Sequence, residues 1–194
     1  MLTFIFREPM KNFIPHHGGY QKLITYKRAE IIYDATIYFT RRFLSSGDRT
    51  IDQMIQAARS GKQNIAEASM ASGTSKETEI KLTNVARASQ EELLIDYRDY
   101  MRNYGIMEWD RYHPYASRMS DLMRNHPANY QTFQKGIENQ NPEICVNVIV
   151  SLIKVTQFLL IRQIKSLEKD FVENGGLRER MTRARLETRN KQGR

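Results

Sequence analysis

The sequence predicts an all-α chain: an antiparallel up-down four-helix bundle with extra short helices between its third and fourth helices and a basic C-terminal helix. Three observations lead there. Apolar residues recur at three-to-four spacing through four long segments. Glycine, proline and small polar residues interrupt those segments only briefly, which is how antiparallel helices are joined. No segment alternates apolar and polar residues in the manner of a strand, and no repeat is present.

Residues 1–19 read as an irregular N-terminal arm, because Pro9, Pro15 and Gly18-Gly19 break any regular element. Phe4, Phe6 and Phe13 mark the arm as one that packs onto the rest of the chain. The bundle is assigned to residues 20–172. Its first helix is expected over Tyr20–Leu44, with Leu23, Ile24, Ile31, Ile32, Ala35, Phe39 and Phe43 on its inner face and Gly47 as C-cap. The second is expected over Thr50–Ala71, capped by Thr50 with Gln53 three residues on. Gly61 falls in its middle, where glycine costs ~1 kcal/mol relative to alanine, so a close approach by another helix is expected there. The third starts at a Ser75 cap, reaches Tyr104 and ends on Gly105. Short helices are expected over Trp109–Arg124 and Ala128–Ile137, although Gly136 weakens the second. The fourth long helix has the clearest start, an Asn141 cap followed by Pro142, and should reach Val172. Its apolar residues spread around more of the axis than one bundle face requires. Residues 173–194 form a basic tail, with a helix from Leu177 to Arg189 after Asn174-Gly175-Gly176.

The chain carries 30 Lys and Arg against 22 Asp and Glu, a net charge of +8, over 194 residues. The excess lies at the two ends, while residues 51–115 are slightly acidic. Such a balance suits either contact with a polyanion or a solvated surface. No unbroken run of ~18 apolar residues occurs, so no membrane span is expected. Arg7 and Glu8 interrupt the N-terminus too early for a secretory signal. The lone Cys145, in an aliphatic run, reads as a small buried residue in a reducing, cytoplasmic setting.

No catalytic constellation, metal site or cofactor motif is found, and the chain reads as non-enzymatic. His16-His17 lack the spacing of a helical metal site, and His113 and His126 each adjoin a proline in a loop. Glu91, Glu92, Asp96 and Asp99 make an acidic stretch, expected to be solvated or paired with Lys81, Arg98 and Arg102. Asn64 and Glu67, three residues apart, share a helix face and are expected to bond across to the third helix or to another subunit. In the tail, Arg178 and Arg185 lie two turns apart and Arg189 follows by four, forming a stripe. Arg180 and Arg183 sit elsewhere around the axis. Arginine's planar fork suits phosphate, so these five, with Lys27, Arg28, Arg41 and Arg42, are the candidate nucleic-acid-binding residues. Tyr26, Tyr33, Tyr38, Tyr97, Tyr100 and Tyr104 could stack bases, but their helical spacing fits core or subunit contact better.

The segments QAARSGKQNIAEAS (56–69) and KLTNVARASQEEL (81–93) resemble a bacterial four-helix-bundle family. That family includes proteins encoded in ribosomal RNA intervening sequences and the accessory variability determinants of diversity-generating retroelements. The family's Ser, then Asn-Ile-Ala-Glu, appears as Ser60 and Asn64 to Glu67; Ala68 stands where glycine is usual. Its third-helix pattern appears as Ala86, Ala88, Ser89, Glu92 and Leu93. The tail FVENGGLRERMTRARLETR (171–189) looks like a subgroup with a four-helix-bundle suffix domain. The resemblance implies a ring-shaped homo-oligomer, pentameric in studied members, with Ser60, Asn64, Glu67, Ser89 and Glu92 as polar residues between helices. It also implies contact with RNA or DNA or with a partner such as a reverse transcriptase. The ribosomal RNA link is one of gene location. The other reading is a protein–protein adaptor with no nucleic-acid role, suggested by the broad apolar face of the fourth helix.

Overall fold

The computed structural model describes Ile14 and residues 17–192, and these are mostly helical with no strand among them. After a 3-10 turn at Tyr20–Lys22 come α1 (Ile24–Phe43), α2 (Arg49–Ala71), α3 (Lys76–Asn103), α4 (Pro114–Asn125), α5 (Tyr130–Ile137), α6 (Pro142–Asn174) and α7 (Leu177–Gln192). The arm expected over residues 1–19, with Phe4, Phe6, Phe13 and His16, lies almost wholly outside the described residues.

Local signals set most boundaries. Asn141 Oδ1 accepts from the Glu143 N–H at 2.9 Å ahead of Pro142, as a capped start requires. Ser75 Oγ accepts from the Thr78 N–H at 3.1 Å. The α2 cap is Asp48 and not Thr50: Asp48 Oδ1 accepts from the Thr50 N–H at 2.9 Å. A carboxylate there also favours the positive end of the helix. The first helix starts at Ile24 because the chain first makes a 3-10 turn ending at an extended Leu23. Gly47, with φ +92°, serves the turn after α1, and the C-cap is Leu44.

α2 packs on α3, α3 on α6, and α1 on both α2 and α6. Lys76 at the start of α3 meets Asp170 late in α6, while Glu91 further along α3 meets Gln157 earlier in α6. The two chains of contacts therefore run in opposite senses. The main core joins α1 to α6 around Phe39, whose ring meets Tyr97 at 5.0 Å and Tyr100 at 4.8 Å in edge-on geometry. Burying a side chain of this size contributes about 1.5–3 kcal/mol. Tyr97 is fully buried and its hydroxyl donates to Thr36 Oγ1 at 3.0 Å, so the polar tip is satisfied. A second, smaller core of Ala29, Ile65, Ala86 and Leu160 closes the other end.

Two glycines decide how closely helices approach. A Cβ on Gly61 would fall 2.3 Å from Gln90 Nε2, so the bare backbone of α2 makes room for a buried glutamine from α3. A Cβ on Gly136 would fall 2.8 Å from Val148 Cγ2. Gly136 thus does not weaken α5; it lets α5 lie against α6.

Over its first turns the breadth of the apolar face on α6 is explained by its neighbours: Cys145 through Val150 are all buried, because α1, α3 and α5 all pack on this helix, while Phe158 and Ile161 further along stay exposed. α6 also contains an 18-residue window long and apolar enough to cross a bilayer, of which 56% is buried in the fold. Counting unbroken apolar runs misses this window, since Asn147, Ser151 and Lys154 interrupt it. Cys145 is buried, its thiol pushed up to about 12 by burial and donating to the Ile137 carbonyl at 2.9 Å.

Candidate functional site

The basic residues singled out in the sequence do not share one surface. Arg178, Arg183, Arg185 and Arg189 are exposed on α7, a helix with no buried residue. Gly175, with φ +69°, ends α6, and the Gly176 N–H donates to Glu179 Oε2 at 3.0 Å to start α7. Arg180 is the exception: it is half-buried, its Nε has no partner among the described residues, and its charge helps hold Asp170 below the usual carboxylate range. The main causes of that lowering are hydrogen bonds from Asn174 and Lys76.

Lys27, Arg41 and Arg42 are exposed on α1, with Arg42 set over the Phe43 ring at 5.7 Å. Arg28 departs from the expectation of a surface cation. It is only 6% exposed and donates from Nη2 to the Met123 carbonyl at 2.8 Å, tying α1 to the end of α4. Burial lowers its affinity for the proton. Its place four residues before Ile32, on the buried stripe of α1, was the available signal.

Within the chain, the polar link from α2 to α3 is not made by Asn64 and Glu67 themselves. Asn64 Nδ2 donates to Ser60 O at 2.9 Å and to Ser60 Oγ at 3.1 Å, within α2. The bridge to α3 is made by Ser60 and Ser89, whose hydroxyls lie 2.9 Å apart. Glu67 and Glu92 are exposed. Gln90, the residue after Ser89, is fully buried, and neither amide atom has a hydrogen-bond partner among the described residues.

The acidic stretch is only partly paired. Arg102 bridges Asp99 at 2.8 Å, and Gln157 donates to Glu91 at 2.8 Å. Arg98 pairs instead with Glu108, at 3.0 Å, and Lys154 reaches the same carboxylate at 2.6 Å. Asp96 is half-buried, and its Oδ2 has no hydrogen-bond partner among the described residues. Burial, then the charges of Glu92 and Asp99, push its carboxyl above the usual range. Among the described residues no group of three His, Cys, Asp or Glu is placed to hold a metal ion.

A cleft beside Trp109 has no counterpart in the sequence reading. It measures about 450 Å³ and opens between α4, α5 and the first turns of α6. Trp109, Tyr115, Met119, Leu122, Phe133, Ile144 and Val148 supply its apolar walls. Arg118 and Lys135 also line it, both exposed. The segment carrying Trp109 is held by Asn147, which is buried. Its Oδ1 accepts from the Trp109 N–H at 2.8 Å, and its Nδ2 donates to Met107 O and Glu143 O, each at 3.0 Å. The Trp109 and His113 rings stack at 5.0 Å with 6° between their planes. The dense run of aromatic and histidine residues over 109–115 was the available signal.

No family model matches the chain, and no curated protein or solved structure does.

Proposed function

We propose that this chain is a non-enzymatic helical-bundle protein that assembles with copies of itself and engages nucleic acid, or a partner that handles nucleic acid, through α7. The observation that carries the proposal is α7 itself: it buries none of its residues, and four arginines, Arg178, Arg183, Arg185 and Arg189, are exposed along it. A solvated arginine helix can wrap its guanidinium forks onto phosphates without first breaking contacts to its own chain. α1, α2, α3 and α6 would be the up-down four-helix bundle that carries this helix, consistent with the opposite senses of α3 and α6. Val85 and Ile95 on α3 and Phe158 and Ile161 on α6 are exposed apolar residues that self-assembly would cover.

The test is fluorescence anisotropy of labelled single- and double-stranded RNA and DNA titrated with the full chain across a salt series. Binding should weaken steeply with salt. Arg183→Gln, Arg185→Gln and Arg189→Gln together should flatten the log–log slope by roughly 0.7–0.9 for each lost phosphate contact. No binding at low salt by the assembled protein would refute the proposal.

A second reading, a protein–protein adaptor, draws on the exposed Met181 and Leu186 that share α7 with the arginines. Under that reading a protein co-purifies, and nuclease treatment leaves its recovery unchanged.

A further inference from the structure

We propose that the cleft beside Trp109 binds a small aromatic carboxylate, its ring among Trp109, Tyr115 and Phe133 and its carboxylate against Arg118 and Lys135. This site is separate from α7 and does not depend on how that helix is used.

Three observations converge on this ligand. The cleft's volume of about 450 Å³ suits a small molecule, because ligand sites of this kind run from ~300 Å³ upward. Its walls are aromatic and aliphatic, which favours a flat apolar body stacked or edge-on against the rings. The charge around it has one sign. Arg118 and Lys135 line the cleft, no Asp or Glu does, and neither cation joins an ion pair among the described residues. Two cations facing one apolar cleft without a carboxylate between them complement an anion, and the Arg118 fork can bond a carboxylate through both oxygens.

Two of the other polar side chains that line the cleft are already engaged. Thr132 Oγ1 donates to the Pro127 carbonyl at 2.7 Å, and Asn139 Oδ1 accepts from the Asn141 N–H at 2.9 Å. Arg118 and Lys135 alone carry positive charge in the lining, which assigns the anionic head of a ligand to them. The walls are also held in place. Asn147 pins the Trp109 backbone, and Gly136 lets α5 sit directly on α6 at Val148, so the floor is packed before any ligand arrives. α4 is the looser wall, burying only Met119.

Trp109 is the chain's single tryptophan, so indole fluorescence reads this cleft alone. The experiment titrates the full chain with 4-bromobenzoate, whose bromine quenches indole fluorescence on contact, and with neutral 4-bromobenzamide. The acid should quench saturably and bind about tenfold or more tightly than the amide, the equivalent of roughly 1.4 kcal/mol. Arg118→Gln with Lys135→Gln, both at exposed positions, should bring acid and amide to parity. Ile144→Phe, which fills the cleft, should abolish saturable quenching by both. Linear quenching that is alike for acid and amide would overturn the proposal. So would saturable binding that does not discriminate between them, or an acid preference that survives the double substitution.

Discussion

Replacing Gly61 by alanine sets two known effects against each other at one backbone position. Alanine is the better helix former by about 1 kcal/mol, so on an exposed helix the change would stabilise. Here the new Cβ would lie 2.3 Å from Gln90 Nε2, 3.2 Å from Cδ and 3.3 Å from Cγ. A glutamine tip can swing away when it has somewhere to go, but Gln90 is fully buried. Overpacking of this kind costs about 1–3 kcal/mol. The substitution should therefore destabilise by up to about 2 kcal/mol once the propensity gain is subtracted. In a Gln90→Ala background the obstructing atoms are gone, and the same substitution should stabilise by about 1 kcal/mol. The assay is urea denaturation followed by helical circular dichroism for the four proteins of the cycle, read as midpoint at constant slope. A coupling of about 1–3 kcal/mol is expected. Should Gly61→Ala shift the midpoint equally in both backgrounds, the side chain of Gln90 is not what excludes a Cβ from α2.

Two further predictions concern polar groups. Asn147→Ala strands the Trp109 N–H and frees the Met107 carbonyl; it should cost about 1–3 kcal/mol, the penalty of one stranded donor, and should red-shift the Trp109 emission as the segment loosens. An unchanged spectrum would show that Asn147 does not hold the cleft wall. Asp96→Asn tests the half-buried carboxyl. Its folded pKa is raised, so the folded state carries a penalty at neutral pH that is relieved as pH falls through that raised value. The variant should be more stable than the parent at pH 7, and the gap should close on acidification toward the ordinary value of 3.8; a gap that stays constant with pH contradicts the assignment.

The helices were legible because their signals are local. Asn141-Pro142, Ser75 and the three-to-four spacing of Ile31, Ile32, Ala35 and Phe39 each act within a turn or two of chain, and the folded protein uses them as written. The Thr50 cap was misplaced by two residues because Asp48 and Thr50 are both good caps. The choice between them rests on where the preceding turn leaves the chain.

The site was less legible, because exposure belongs to the packed object. Arg28 and Lys27 are neighbours in sequence, yet one is sealed beneath α4 and the other is in solvent. Ser60 reaches Ser89 across 29 positions, while Glu67, the more conspicuous polar residue, stays outside. The sequence alone determined the helical class, the capped starts of α3 and α6 and the arginine-rich final helix, since period, cap chemistry and composition are properties of short stretches. Only the tertiary structure decided which side of each helix was covered. It also decided that Gly61 and Gly136 are contact points, and that Trp109, Arg118, Phe133 and Lys135 meet around one cleft. Those outcomes depend on distances between residues far apart in the chain, which close only when the helices pack.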